Sequence, residues 1–155
     1  MATPGKTITI KRTDSNDLDF PQLVTLLNQE LRERYDDLQS FYDSYNKIKD
    51  LDTVVIAYSN DIPAGCGCFK KFDEQTVEIK RMFVKPAERK QGIASSILSE
   101  LEGWAKEDGY THVVLETANK QHESIALYKK QGYQVIPNYG QYAGLETSIC
   151  FRKEL

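Results

Sequence analysis

The order of apolar and polar residues along the chain predicts an alternation of strands and helices. Near the start, Ile8 and Ile10 alternate with polar residues, which predicts a half-buried first strand. From Phe20 onward, apolar residues recur every three or four positions, which predicts an amphipathic helix with Pro21 in its first turn. The polar segment 36–49, with scattered aromatic residues, predicts a short second helix. The remaining segments predict strands over 53–58, 65–72, 76–84, 112–117, 133–136 and 147–153 and helices over 92–108 and 123–131.

This element order, β-α-α-β-β-β-α-β-α-β-β, identifies the fold class as α/β with a mixed sheet. The run Val113–Leu115 is continuously apolar, as in a strand that is covered on both faces. No internal repeat and no low-complexity tract interrupts the pattern. A chain of 155 residues suits one domain, so we expect a single domain over 1–155.

Composition narrows the function classes further. With 20 Lys and Arg residues against 23 Asp and Glu residues, the net charge is −3 and the sequence pI is about 5.5. This balance is atypical of proteins that bind nucleic acids or anionic membranes. The longest apolar run, Val54–Tyr58, is far shorter than the roughly 20 residues of a membrane span. Three cysteines cannot all pair internally, so Cys66, Cys68 and Cys150 are expected to be reduced thiols of a cytoplasmic protein.

The segment between the strand 76–84 and the next helix is the candidate binding loop. It reads Arg89-Lys90-Gln91-Gly92-Ile93-Ala94, and small residues at Gly92 and Ala94 let a ligand approach the backbone. Amides at a helix start bind anions, and Arg89 and Lys90 add positive charge. The pattern therefore indicates a pyrophosphate site, although a solvated turn can have the same composition. Neither a P-loop nor a dinucleotide-binding glycine pattern occurs in the chain.

Two motifs resemble those of the GNAT superfamily of acetyl-CoA-dependent N-acetyltransferases. Arg89-x-x-Gly92-x-Ala94 is similar to its acetyl-CoA motif, and Leu115–Asn119 with Ile125–Tyr133 is similar to its later strand and helix motif, here Leu127-Tyr128 before Gly132-Tyr133. The resemblance covers nearly the whole chain. It implies the GNAT fold, a mixed, mostly antiparallel sheet of about seven strands flanked by about four helices. It also implies acetyl-CoA as the co-substrate and no metal.

The resemblance further assigns the acetyl-CoA-binding residues. Met82, Phe83 and Val84 would hydrogen-bond the pantetheine arm as an added strand does, and the Met82 N–H would stabilise the oxyanion of the transition state. The fourth and fifth strands would separate near Val84 and Leu115 to admit the thioester. Asn119, or Glu116 or Thr117 nearby, would contact the cofactor or the substrate. The pyrophosphate would bind the backbone amides of Arg89, Lys90, Gln91, Gly92, Ile93, Ala94 and Ser95.

Acetyl transfer needs a group that removes the ammonium proton of the acceptor and an acid for the leaving thiolate. Glu78 lies at the spacing from the glycine loop where some superfamily members place the base. Strand alternation would put Glu78, Lys80 and Met82 on one face. Tyr128 occupies the position of the usual acid. Two alternatives stay open: Glu78 is a strand residue paired with Lys80 or Lys70, and Tyr128 is a core aromatic residue.

Other polar residues give weaker signals. Cys66-Gly67-Cys68 resembles half of a zinc knuckle, but no second Cys or His pair follows at zinc spacing, so no metal site is expected. His112 begins a strand and His122 begins a helix, which favours surface or capping roles. Arg81 either binds a substrate carboxylate or braces its strand.

The sequence therefore predicts an enzyme that moves the acetyl group of acetyl-CoA to a primary amine of a small molecule, by direct transfer in a ternary complex. The alternatives are an acyl-CoA sensor without turnover and an acetyltransferase that acts on a protein amine. A homodimer is compatible with the sequence, and no nucleic-acid or membrane partner is expected. Tyrosines and early acidic residues near the expected acceptor site favour a cationic amine: Tyr35, Tyr42, Tyr45, Tyr133, Tyr139, Tyr142, Asp14, Asp17, Asp19, Asp36, Asp37 and Asp43.

Overall fold

The computed structural model describes residues 6–34 and 50–155. These residues form seven strands, three α-helices and two single 3-10 turns, Pro86–Glu88 and Gly140–Tyr142. The helix predicted within 36–49 and the tyrosines Tyr35, Tyr42 and Tyr45 lie outside the described residues. The strands are β1 (Ile8–Thr13), β2 (Val54–Ser59), β3 (Ile62–Lys71), β4 (Thr76–Val84), β5 (His112–Ala118), β6 (Gln134–Ile136) and β7 (Ser148–Glu154), and the helices are α1 (Asp19–Arg34), α2 (Ile93–Glu107) and α3 (His122–Lys130).

Strand β3 begins earlier than the sequence pattern predicted. Asn60 and Asp61 both have positive φ, 49° and 66°, so two residues close the hairpin between β2 and β3. Ile62 then pairs directly with Ser59, and the register shifts next to Pro63, which cannot donate to the ladder.

Hydrogen bonding gives one seven-stranded sheet in the order β1-β2-β3-β4-β5-β7-β6. The pairs β1–β2, β2–β3, β5–β7 and β6–β7 are antiparallel, and β4–β5 is parallel. The parallel ladder runs from Thr76 opposite His112 to Ile79 opposite Leu115, whereas β4 continues to Val84. None of the helices in the ranges 6–34 and 50–155 combines the length and the hydropathy of a membrane-spanning segment.

Contacts within the chain divide it into two compact units. The first contains the described residues up to Cys68 together with Arg81–Leu101, and the second contains Phe69–Lys80 and Glu102–Leu155. The expectation of a single domain over 1–155 stays a prediction.

The core of the first unit forms where α1 packs against β2 and β3. The apolar residues of α1 form one stripe, as their spacing of three and four positions requires. Cys66 and Cys68 share the face of β3 that meets this stripe, because residues two positions apart in a strand point the same way. The buried cluster consists of Phe20, Leu23, Val24, Leu27, Val54, Ile56, Cys66, Cys68 and Phe83.

On its other face, β3 uses glycines to let α2 pack closely. A Cβ atom on Gly65 would lie 2.7 Å from the Phe83 carbonyl oxygen and 3.1 Å from Ile97 Cδ1. A Cβ atom on Gly67 would lie 2.5 Å from Met82 Sδ. A larger residue at either position would therefore displace the end of β4 or the start of α2.

In the second unit, β5 is paired with β7 from His112 opposite Glu154 to Ala118 opposite Ser148. Aromatic rings pack edge to face beside it, with the Phe69 ring 5.9 Å from that of Trp104. Strand β5 lies between β4 and β7, and its successive residues Val113, Val114 and Leu115 are all buried, as expected for a strand covered on both faces. Buried members of this unit include Val77, Val113, Leu115, Tyr128, Tyr133 and Phe151.

We expect Gly65→Ala to lower the free energy of unfolding by about 1–3 kcal/mol, because the new methyl group meets a backbone oxygen that has no room to move. Gly103→Ala is the matched control. A Cβ atom at Gly103, within α2, meets nothing within 4 Å, so this change should raise the free energy of unfolding by about 0.5–1 kcal/mol. Urea denaturation of both variants measures the two effects, and equal effects of the same sign would contradict the packing argument.

Candidate active site

Strand β4 contains a backbone irregularity at Arg81, whose φ of 60° lies in the left-handed region. Its Nη1 donates a hydrogen bond of 2.7 Å to Asn28 Oδ1 on α1. Its carbonyl oxygen accepts a hydrogen bond from Cys66 Sγ at 3.4 Å. Both contacts hold this conformation. Arg81 therefore braces the strand against α1, which is one of the two roles expected for it.

The irregularity changes which side chains share a face of β4. Phe83 belongs to the buried cluster around α1, whereas Met82 packs on the opposite side, beside α2. The left-handed Arg81 lies between Lys80 and Met82, so the strict alternation on which the grouping of Met82 with Glu78 and Lys80 was based does not run through it. The role predicted for Met82 depends on its backbone N–H and not on the direction of its side chain.

Arg89 fixes the loop between β4 and α2. Its Nε donates to the Val84 carbonyl at 2.8 Å, and its Nη2 donates to both carboxylate oxygens of Glu30 at 2.9 and 3.0 Å. Its backbone N–H donates to the Pro86 carbonyl oxygen at 3.3 Å. Because this amide already has an acceptor, the predicted series of phosphate-binding amides begins after Arg89, at Lys90.

The residues after Arg89 lead into α2, which begins at Ile93. Lys90 and Gly92 have φ values of 67° and 80°, a left-handed geometry that turns successive amides to one side. The first intrahelical hydrogen bond of 3.0 Å runs from Ser96 N to the Gly92 carbonyl, and an α-helix offers its earlier amides no intrahelical acceptor. The residues predicted to bind pyrophosphate in this stretch are Lys90, Gln91, Gly92, Ile93, Ala94 and Ser95.

The space beside the helix start bears on the predicted pyrophosphate site. A Cβ atom on Gly92 would meet no atom within 4 Å, so the space beside the backbone is open. Across the described residues 6–34 and 50–155, Gln91 Oε1 is the buried side-chain oxygen without a hydrogen-bond partner. This atom accepts hydrogen bonds, as phosphate oxygens do, so it is not itself an argument for a phosphate group.

Polar side chains of the second unit gather in what we call the carboxylate cluster, which consists of Glu78, Lys80, Glu116, Tyr139, Tyr142 and Ser148. Glu78, on β4, is 3% exposed. Its Oε2 accepts a 2.7 Å hydrogen bond from Tyr139 Oη, and its Oε1 lies 3.6 Å from Lys80 Nζ and 3.9 Å from Lys70 Nζ. The alternative that Glu78 pairs with lysines is confirmed, but the group is buried and does not face solvent.

Glu116 is the second acidic residue of the carboxylate cluster. It follows Leu115, where the parallel ladder ends, and its Oε2 accepts a hydrogen bond of 2.6 Å from Ser148 Oγ on β7. Burial raises the pKa of Glu116 to about 7, and the negative charge of Glu78 adds to this rise. The Ser148 hydrogen bond and the charge of Lys80 act against it.

Aromatic groups complete the carboxylate cluster. Lys80 Nζ donates to Tyr142 Oη at 3.1 Å, and the rings of Tyr139 and Tyr142 meet edge to face at 5.7 Å. Burial raises the pKa of both phenols, and nearby carboxylates raise it further, so both stay neutral at physiological pH. Phe72 packs against Tyr139 with ring centres 5.1 Å apart.

Two other predicted residues lie in the same unit. Tyr128, on α3, is buried, and its ring packs against Tyr133 at 5.7 Å and Phe151 at 5.8 Å. Burial raises its pKa, and the charge of Glu116 raises it further, so the phenol keeps its proton. Asn119 donates its side-chain amide to the Glu146 carbonyl at 3.1 Å, which ties the end of β5 to the segment before β7.

Sequence reasoning missed Ser148 as a functional candidate, named Glu116 only as an alternative to Asn119, and gave Lys80 only a pairing role. One signal was available: Glu116 directly follows the apolar run that predicted a strand covered on both faces. A carboxyl group there must be buried and must find a partner. The partner, Ser148, lies 32 positions further along the chain, and no local pattern identifies it.

Comparison with known families settles the class of protein. The sequence model of the acetyltransferase (GNAT) family matches residues 20–133. The chain belongs to the GNAT acetyltransferase family.

Individual relatives agree with this assignment. A Xenopus tropicalis protein named "Probable N-acetyltransferase 14" is 33% identical over 140 residues, which cover 89% of this chain and 67% of the relative. A Klebsiella pneumoniae structure, named as an acyl-CoA N-acyltransferase, has a TM-score of 0.79 and 27% identity over 96% of this chain and 98% of its own. A GNAT acetyltransferase from Elizabethkingia anophelis, solved with acetyl-CoA bound, has a TM-score of 0.68 and 23% identity over 96% and 98%.

The predicted fold class and enzyme class of this GNAT acetyltransferase are confirmed. It is an acyltransferase that uses acetyl-CoA, and it has the seven-stranded mixed α/β architecture of its family. Within residues 6–34 and 50–155, no group of three or more His, Cys, Asp or Glu side chains is arranged to hold a metal ion.

We expect Gly92→Ala to weaken CoA binding about tenfold, because a Cβ atom strains a left-handed residue by roughly 1–2 kcal/mol within the predicted pyrophosphate site. Gly109→Ala is the control. Gly109 has a φ of 94° and equally open space, but it lies beyond the far end of α2. Isothermal titration calorimetry with CoA should show unchanged affinity for the control. Equal losses of affinity in both variants would contradict the assignment of the loop.

The raised pKa of Glu116 also predicts a pH dependence of stability. Between pH 4.5 and 7 the folded chain binds the Glu116 proton more strongly than the unfolded chain does, so the free energy of unfolding falls as pH rises through this window. The contribution is on the order of 3 kcal/mol, and Glu116→Gln should remove it. Urea denaturation at pH 5 and pH 8 measures the difference. Glu74→Gln, at an 89% exposed side chain, controls for the change of charge and should behave as wild type.

Proposed function

We propose that this GNAT acetyltransferase moves the acetyl group of acetyl-CoA to a primary amine of a small cationic molecule, by direct transfer in a ternary complex. The observation that carries the proposal is the carboxylate cluster, in which two acidic side chains, Glu78 and Glu116, share one buried lysine. Buried charges without full compensation are costly, so an incoming ammonium group improves the balance.

The surroundings of the carboxylate cluster suit a small acceptor. The edge-to-face rings of Phe72, Tyr139 and Tyr142 provide apolar area with polar tips beside the carboxylates. Glu78 and Lys80 are almost wholly buried, which favours an acceptor that enters as a small molecule. A protein amine stays the alternative acceptor, because a lysine side chain is long enough to present its ammonium group to a buried site.

For the chemistry we propose three roles. The Met82 N–H stabilises the oxyanion, Glu78 attracts the ammonium group and helps to remove its proton through water, and Tyr128 protonates the departing thiolate. The raised pKa of Tyr128 keeps its proton available at neutral pH. It also makes the phenol a weaker acid than free tyrosine, so the transfer has to accompany cleavage of the C–S bond.

For the binding of acetyl-CoA we propose that the pantetheine arm lies along Met82, Phe83 and Val84. The open, left-handed helix start supports the amides of Lys90–Ser95 as the pyrophosphate site. Arg89 acts through its side chain as the anchor of this loop, and Asn119 contacts the cofactor or acceptor next to its bond with Glu146. A cytoplasmic location and a homodimer complete the proposal.

The release of free thiol from acetyl-CoA tests this function. It is measured with alkylamines, aralkylamines, diamines, amino acids and a lysine-containing peptide as acceptors. We expect turnover with small cationic amines at higher kcat/KM than with the peptide. Tyr128→Phe should lower kcat about 100-fold and leave the affinity for CoA unchanged, because the ring packing is kept and only the proton donor is lost.

Tyr110→Phe is the matched control, since its ring packs against Phe69 and its phenol has no proposed part in the chemistry. Its kcat should equal that of the wild type. Tight CoA binding without thiol release for any amine would instead favour the acyl-CoA sensor. Unchanged kcat in Tyr128→Phe, with chemistry rate-limiting, would remove Tyr128 from the mechanism.

A further inference from the structure

The carboxylate cluster contains two acidic side chains, and the proposed mechanism gives a chemical role to only one of them, Glu78. We infer that Glu116 is the proton acceptor of the transfer reaction: Glu78 draws in the ammonium group, and the proton that leaves the nitrogen through water comes to rest on Glu116. This inference rests on the proposed function, because it concerns the same acceptor site.

Glu78 lies beside a hydrogen-bond donor and two cations. The Tyr139 phenol donates to it at 2.7 Å, and the ammonium groups of Lys80 and Lys70 lie 3.6 and 3.9 Å away. Since these partners already engage both of its carboxylate oxygens, we assign Glu78 the attraction of the incoming ammonium group and not the storage of its proton.

Glu116 has the opposite environment. Among the residues that the structure describes, one hydrogen bond of 2.6 Å, from the neutral hydroxyl of Ser148, supports its charge, and it lies beyond Leu115, the last residue of the parallel ladder with β4. Burial brings its pKa to about 7, so it exchanges a proton readily at physiological pH. The two carboxyl groups interact electrostatically, and the charge on Glu78 helps Glu116 to hold the proton.

Several elements contribute charged or titratable groups around Glu116. Among the described residues, those that interact with Glu116 are Glu78 and Lys80 on β4, Cys150 on β7, Tyr142 before β7 and Tyr128 on α3. Burial raises the pKa of Cys150, Tyr142 and Tyr128, so these three are neutral at pH 7. Glu78 and Lys80 are then the charged neighbours of Glu116 in this set.

The proton balance of the reaction requires such a group. An ammonium acceptor loses two protons when it becomes an amide. The first passes through water to Glu116, which frees the nitrogen lone pair to form the C–N bond, and Glu116 later releases this proton to solvent. The nitrogen loses the second proton as the C–S bond breaks, and this proton replaces the one that Tyr128 gives to the sulfur. One proton is released to solvent in each turnover.

The pH dependence of kcat/KM tests the inference. In the wild type, kcat/KM should fall as pH drops below about 7, and we call this fall the acid limb. The limb should stay in place when the amine is replaced by one of lower pKa, because the group that titrates there is on the enzyme. Glu116→Gln should lower kcat/KM about 100-fold or more and remove the limb. Its far-UV circular dichroism and CoA affinity should match wild type, since Gln can still accept the Ser148 hydrogen bond.

Two neighbours should move the limb in opposite directions. Ser148→Ala removes a donor that favours the ionised form of Glu116, so the limb should shift up by about 1 pH unit. Glu78→Gln removes a like charge, so the limb should shift down, and KM for the amine should rise because the ammonium group loses its partner. A purely structural role of Glu116 predicts neither shift.

Glu102→Gln is the matched control. Glu102 is a mostly buried carboxyl group of the same unit, and its partners are Tyr133 at 2.7 Å and Lys153 at 2.8 Å. This substitution should leave the acid limb of kcat/KM in place. A wild-type acid limb in Glu116→Gln would overturn the inference and leave the proposed acetyl transfer intact. Absence of thiol release by wild-type enzyme with every amine would overturn both.

Discussion

The left-handed backbone of Arg81 is the constraint on which the arrangement of β4 depends. A non-glycine residue in this region costs roughly 1–2 kcal/mol, and the hydrogen bonds with Asn28 and Cys66 offset that cost. Strict alternation of side chains does not continue through a left-handed residue. The brace between Arg81 and α1 therefore fixes the backbone of β4 directly before Met82 and the buried Phe83.

The carboxylate cluster shows how charge is kept inside a small unit. Each acidic group has a different kind of support: Glu78 has a phenol and two lysines, and Glu116 has one hydroxyl. Replacing such a cluster with apolar residues would often stabilise a fold, so charges retained in the interior indicate a use for them. The two carboxyl groups therefore have different surroundings, which matches the different roles proposed for them.

Local sequence features predicted most of the architecture and about half of the candidate site. Strand β4 has the predicted bounds, 76–84, and the glycine loop starts α2 where the helix-start signals place it, because both depend on neighbouring residues. Residues brought together by the sheet were beyond such reasoning. Glu116 and Ser148 meet only because β5 pairs with β7, and the φ of Arg81 depends on a partner in α1.

The three cysteines, Cys66, Cys68 and Cys150, are all buried thiols. Burial raises the pKa of Cys66, and it raises that of Cys150 to about 11, so neither forms a thiolate at neutral pH. A thiol reagent added to the folded enzyme therefore reacts with released coenzyme A and not with the protein. Local unfolding would expose these thiols and make them reactive, so the rate at which Cys66 is labelled reports transient exposure of the α1 core during turnover.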